Sequence, residues 1–172
     1  MHQESNDIKF GEFKMVKKEY QFKDFSDKLT SKAMMKNQKV SLKYATEMCR
    51  EIRGKSVKKV LKTLERILKQ ETYLPLKKYK LKVGHRKGTT VSGVKEGRFP
   101  EKICETFIRL VETAKGNASF KGLDEEKLIV LHAFASKGFS RMKKQPKGKV
   151  GGKMRKPKST HLEIVLLEAK GM

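Results

Sequence analysis

Leu128-Ile129-Val130-Leu131-His132-Ala133-Phe134-Ala135 is an apolar, partly β-branched run and reads as a strand. Further on, His161-Leu162-Glu163-Ile164-Val165-Leu166-Leu167 alternates polar and apolar and then turns wholly apolar, a second strand buried toward its end. Between them lies Lys137-Gly138-Phe139-Ser140-Arg141-Met142-Lys143-Lys144-Gln145-Pro146-Lys147-Gly148-Lys149-Val150-Gly151-Gly152-Lys153-Met154-Arg155-Lys156-Pro157-Lys158, with ten basic and no acidic side chains. Four glycines and two prolines argue against a compact core there. Self-repulsion keeps such a segment extended until a polyanion neutralises it. Two strands flanking it predict one long antiparallel hairpin at about 137–158. Fully extended, an arm of about ten residues spans roughly 33 Å at ~3.3 Å per residue.

Upstream, helical periodicity dominates. Leu42, Ala45, Met48, Cys49 and Ile52 share one face, with Ser41 placed to cap the start and Gly54 to follow the end. Val57, Val60, Leu61, Leu64, Ile67 and Leu68 mark a second helix. Its other face carries Lys58, Lys59, Lys62, Arg66 and Lys69, which are either solvated or in contact with phosphate. A third helix is expected from Pro100, at its first position, to about Asn117, with Ile103, Phe107, Leu110, Val111 and Ala114 on one face. Lys32 to Val40 is a strand candidate, while residues 1–30 show no sustained period. The expected architecture is α+β: three helices packed on a small three-stranded antiparallel sheet, with a long protruding basic β-hairpin. Residues 31–172 form the domain and 1–30 an N-terminal extension.

The chain has 172 residues and a formal charge of +23, with 35% charged residues against about 25% in an ordinary globular domain. That charge calls for a polyanionic partner, nucleic acid first and an anionic membrane surface second. No apolar run approaches the roughly 18 residues of a membrane span, and Met1 to Asp7 lacks the features of a secretory signal. Cys49 and Cys104, far apart and outside any C-x-x-C pattern, are expected to be reduced and buried.

A second basic region, residues 77–98, holds eight basic side chains and only Glu96 as an acid. There Lys77 and Lys78 stand beside Tyr79, and His85 lies among cations, a pattern suited to stacking on splayed bases next to phosphate contacts. Gly148 to Met154 superficially resembles a phosphate-binding loop, but the glycine spacing is one residue short and Met154 stands where Ser or Thr should be. Gly148-x-x-Gly151 lacks the helical context of a KH clamp. His2, His85, His132 and His161 are isolated, so no catalytic constellation, metal site or cofactor site is expected.

Six motifs occur in a definite order: Arg50-Glu51-Ile52-Arg53-Gly54-Lys55; Val83-Gly84-His85-Arg86-Lys87-Gly88; Gly97-Arg98-Phe99-Pro100; Gly122-Leu123-Asp124; His132-Ala133-Phe134-Ala135-Ser136-Lys137-Gly138; and Ser159-Thr160-His161-Leu162-Glu163-Ile164-Val165. Over about Thr30 to Glu168 this set resembles the universal large-subunit ribosomal protein family numbered twenty-two in bacteria and seventeen in eukaryotes, in its archaeal/eukaryotic form. The resemblance implies a cytoplasmic, non-enzymatic constituent of the large ribosomal subunit. Its implied partners are large-subunit rRNA, neighbouring ribosomal proteins and, near the hairpin tip, the nascent polypeptide in the exit tunnel. Arg86, Lys87, Arg98, Lys137, Arg141, Lys143, Lys144, Lys156 and Lys158 fall on family positions that face RNA. Lys147, Lys149, Lys153 and Arg155 extend the basic segment. The tip departs from the family's usual Pro-Arg-Ala-x-Gly-Arg-Ala: Pro146 to Gly152 stands there, and Gly151 replaces the tip arginine. A DNA-compacting protein would share the charge but not the ordered motifs; a cationic membrane-surface or secreted protein is disfavoured by the missing signal peptide and by the lack of a basic amphipathic helix with a large aromatic face.

Overall fold

The computed structural model describes residues 20–22, 28–88, 90, 92–146 and 152–169. In chain order the elements are Thr30–Gln38 (β1), Leu42–Ile52 (α1), Val57–Leu68 (α2), Leu74–Pro75 (β2), Gly97–Arg98 (β3), Glu101–Phe120 (α3), Leu128–Ser140 (β4), Lys143–Gln145 (β5), Lys153–Arg155 (β6) and Lys158–Glu168 (β7). β1, β7 and β4 form the main antiparallel sheet in that order. β7 is central because it is the most uniformly apolar strand: Leu162, Ile164, Val165 and Leu166 are fully buried.

Ala33, Ile164 and Ala133 face one another across the three strands and point into the core. The helices cover this row, α3 packing on β1 and β7 and α1 on β4. α3 buries Ile103, Phe107, Leu110, Val111, Ala114 and Ala118, and Ser31 Oγ donates to the Ala114 carbonyl at 2.6 Å. Each fully buried large apolar side chain contributes about 1.5–3 kcal/mol. α1 joins the same core through Ala45, Met48, Cys49 and Ile52, and α2 through Val57, Val60, Leu64 and Ile67. The α1–α2 corner is fastened to β4: the Gly54 amide donates to the Val130 carbonyl at 2.8 Å, and the Val130 amide to the Lys55 carbonyl at 3.0 Å.

The expected helices and the three sheet strands are present, with shifted ends. Pro100 is the residue flanking α3 rather than its first helical residue, and α3 continues three residues past Asn117. β1 starts at Thr30, two residues before the expected Lys32. Asp124 caps a short 3-10 turn by accepting from the Glu126 amide at 3.0 Å. Cys49 and Cys104 are free and buried, and burial pushes both thiols up to about 12, leaving them protonated and unreactive.

β4 and β7 run on beyond the core into the basic segment, pairing as far as Ser140 opposite Lys158. The ladder then breaks at Arg141–Met142 and Lys156–Pro157, where Pro157 has no amide to donate. It resumes as β5 and β6, with Lys143 opposite Arg155 and Gln145 opposite Lys153. Residues 147–151, which include Lys147, Lys149 and the atypical tip, lie outside the described residues.

The sheet face away from the helices is covered in part by residues 20–22. The Gln21 amide donates to Glu163 Oε1 at 3.1 Å, and Phe22 stacks on His132 with centroids 5.2 Å apart. His132 Nε2 lies 3.5 Å from Glu163 Oε1, beyond a good hydrogen bond, and this buried atom has no hydrogen-bond partner among the described residues. Burial, then the nearby Arg53 cation, lowers the His132 pKa below its usual 6.5, and Glu163 only partly opposes this. The unfolded chain therefore takes up this proton first, so stability is complete above about pH 6.5 and falls as the pH drops below it. Urea midpoints should decrease from pH 7.5 to 5.5, and His132→Gln should flatten that decrease. An equally steep decrease in the variant would contradict this role.

Candidate nucleic-acid interface

The first cationic surface is built by the segment between α2 and α3. β2 and β3 pair through Leu74–Arg98 and Pro75–Gly97. Gly97 is required here, because a Cβ would sit 1.9 Å from the Tyr73 ring. Tyr73 in turn donates to the Val94 carbonyl at 2.9 Å, holding the segment's return. From α1, the buried Glu47 carboxylate accepts the backbone amides of Lys78 at 2.6 Å and Tyr79 at 2.9 Å. This fixes where Lys77, Lys78 and Tyr79 emerge. Lys77 and Lys78 are exposed and Tyr79 is half-buried, with the ammonium groups of Lys43 and Lys78 at 5.6 and 5.7 Å from its ring centre. The surface is thus cationic and aromatic together.

At the other end of this segment, His85 bridges to Glu96 in antiparallel fashion and its ring is exposed, with Nε2 3.9 Å from Glu96 Oε1. The Arg86 guanidinium lies 5.8 Å from the Phe99 ring centre, and Lys87 is exposed. Arg98 bends back on its own loop, donating to the carbonyls of Gly97 at 2.8 Å and Gly84 at 3.1 Å. Part of its hydrogen-bonding capacity therefore closes the loop.

The second surface is the basic segment. Lys137, Arg141, Lys143, Lys144, Lys153, Arg155, Lys156 and Lys158 are all exposed. Among the described residues none of them has a carboxylate within ion-pair distance. Elsewhere several cations are matched: Lys58 meets Glu126 at 2.7 Å, Arg66 meets Glu71 at 3.3 Å, Lys115 meets Glu125 at 2.6 Å and Lys127 meets Asp124 at 3.0 Å. Lys143 and Arg155 are direct cross-strand partners, a like-charge pairing that destabilises an isolated ladder. Lys143, Arg155, Lys156 and Pro157 line one concavity, a cradle of three cations.

Two residues outside the sequence-based candidates shape these surfaces. Glu47 positions the Lys78–Tyr79 backbone. Asn37, at a positive φ of 54° that Asn tolerates better than most residues, accepts the Phe139 amide at 3.0 Å. A Glu inside an amphipathic helix and an Asn at a strand end carry no sequence signal for contacts so far along the chain. Among the described residues, no group of three or more His, Cys, Asp or Glu side chains could hold a metal ion, and no helix is long and apolar enough to cross a membrane.

A helix-backed antiparallel sheet with two cationic surfaces, one of them without internal counter-charge, defines a small basic α+β protein suited to a polyanion. Its sequence matches the family described as ribosomal protein L22p/L17e over residues 33–167, and the chain belongs to that family, one of ribosomal proteins rather than enzymes. The large ribosomal subunit protein uL22 of Methanococcus vannielii is 36% identical over 139 residues, covering 81% of this chain and 90% of that protein. The uL22 protein of Ignicoccus hospitalis is 36% identical over 140 residues, covering 81% and 88%. That of Methanopyrus kandleri is 34% identical over 145 residues, covering 84% and 91%.

Removing the Glu47 carboxylate strands two backbone amides, at a cost of about 1–3 kcal/mol per unsatisfied group. Glu47→Ala should accelerate tryptic cleavage at Lys77–Lys80 without loss of helix content. Glu47→Gln, which keeps an acceptor, should stay near wild type; equal cleavage of both variants would overturn the pinning role.

Proposed function

We propose that the chain is a structural, non-catalytic constituent of the large ribosomal subunit that binds and organises large-subunit rRNA. Its domain is residues 31–172, with 1–30 as an N-terminal extension. The observation that carries this reading is the basic segment: eight described cations without an internal carboxylate, beginning at the ends of β4 and β7 and continuing through the β5–β6 ladder beyond them. Polyphosphate would relieve their repulsion and release counterions, so binding would be strongly salt-dependent until the RNA folds around the protein. Lys137, Arg141, Lys143, Lys144, Lys153, Arg155, Lys156 and Lys158, with Lys147 and Lys149 nearer the tip, would neutralise phosphates. Lys77, Lys78, Arg86, Lys87 and Arg98 would do so on the body, where Tyr79 and His85 offer rings for unpaired bases.

By analogy with the family, the segment extends as a hairpin that lines the nascent-peptide exit tunnel, with the nascent chain passing its tip and other large-subunit proteins as neighbours. The setting is cytoplasmic. No step in this function needs a cofactor or a metal.

The combined change Lys143→Glu, Lys144→Glu, Arg155→Glu and Lys156→Glu should lower incorporation of the tagged chain into large subunits at least severalfold. The same positions changed to Gln should cause a smaller loss. Their side chains are exposed and outside the core, so thermal stability of the free protein should not fall. Unchanged incorporation of the Glu variant would refute an rRNA-bound segment.

A further inference from the structure

At the root of the basic segment lies an open groove of about 930 Å³ between β4, β7, the end of β1 and the start of α1. Its rim combines Lys39, Lys43, Arg141 and Lys158 with two rings, Tyr79 and Phe139. Phe139 is 65% exposed, although it sits in a strand of the central sheet. The Arg141 guanidinium lies over this ring, 5.7 Å from its centre, within cation–π range.

The floor is built rather than incidental. Asn37 Oδ1 accepts both the Phe139 amide at 3.0 Å and Ser159 Oγ at 3.2 Å, and the Asn37 amide donates to His161 Nδ1 at 3.1 Å. The single Ser159 hydroxyl proton is shared between Asn37 Oδ1 and the nearer Phe139 carbonyl. Gly138 makes this packing possible: a Cβ there would meet Ser159 Oγ at 2.5 Å and Asn37 Oδ1 at 2.9 Å. Three strands therefore clamp the backbone on which Phe139 stands. The start of α1 adds to the field, since Ser41 makes no side-chain capping bond and the first turn carries no acid.

A solvated basic face does not need an exposed ring held by three strands. A purely apolar pocket would not surround that ring with cations. An unpaired nucleotide requires both, a π-face for the base and cations for the flanking phosphates. We infer that this groove binds one unpaired RNA nucleotide, its base stacked on Phe139 and its phosphates met by Lys39, Lys43 and Lys158. The inference rests on the RNA-binding reading above and adds to it a site for a splayed base.

The test uses the purified full chain and two RNA probes at one fixed salt concentration: a stem-loop carrying a single bulged 2-aminopurine, and the same stem fully paired. The wild type should bind the bulged probe about tenfold more tightly, within the range that base–aromatic stacking supplies, and should quench its fluorescence. Phe139→Leu keeps apolar bulk without a ring at an exposed position. It should lose the preference and the quenching while binding the paired stem within about twofold of wild type. Equal binding of both probes by the wild type, or a preference and quench that survive in Phe139→Leu, would overturn the inference and leave the RNA-binding reading intact. Failure to bind either probe would overturn both.

Discussion

The β4–β7 ladder is the contact on which the other features depend. Its inner half, from Leu128 opposite Glu168 to Ala135 opposite Leu162, is held by burial against α1 and α3. Its outer half, from Lys137 opposite Thr160 to Ser140 opposite Lys158, leaves the apolar core, with Lys137 and Lys158 exposed, and leads into the rest of the basic segment. One pair of strands thus performs two tasks. The hydrophobic half fixes the direction of the strands, and the basic half follows it after a register shift between Lys137 and Ser140. A lone two-stranded ribbon is marginal in water; here it is anchored at one end by a three-stranded sheet and three helices.

The distribution of acids sharpens this division. Glu125, Glu126 and Asp124 cluster near the α3–β4 turn and are matched with lysines there. Glu47 and Glu163 are buried and serve backbone amides. The carboxylates that neutralise or brace the body are absent from 137–158, so the fold keeps its uncompensated charge where the chain leaves its core. Exposed ion pairs contribute little to stability, typically 0–1 kcal/mol. What matters is the pairs the basic segment lacks, because the cross-strand repulsion of Lys143 and Arg155 remains until an anion arrives.

Much of this was legible in the sequence. The apolar periods of α1, α2 and α3 mark their buried faces, because each helix packs one stripe against a single layer. β4 and β7 were legible because both are apolar where buried and basic where exposed. β2 and β3 were not, since two residues carry no period, and their pairing depends on Tyr73 lying over Gly97. The start of β1 and the docking of residues 20–22 depend on partners more than a hundred positions away, such as Glu163 for Gln21. At the candidate interface, composition alone singled out the basic residues. It could not show that Lys39 and Lys43 share a groove with Phe139, or that Asn37 fixes that ring's backbone, because these neighbours meet only when β1 and α1 fold against the β4–β7 ladder.

In the proposed function this charge serves a site inside folded large-subunit RNA rather than loose contact with any polyanion. Sedimentation of the tagged full chain from lysate through a high-salt sucrose gradient tests it most directly. A chain enclosed by rRNA should remain with the large subunit after the wash, because its contacts are no longer exposed to competing ions. A chain found free at the top of the gradient, or following chromosomal DNA at low salt only, would rule out enclosure by rRNA.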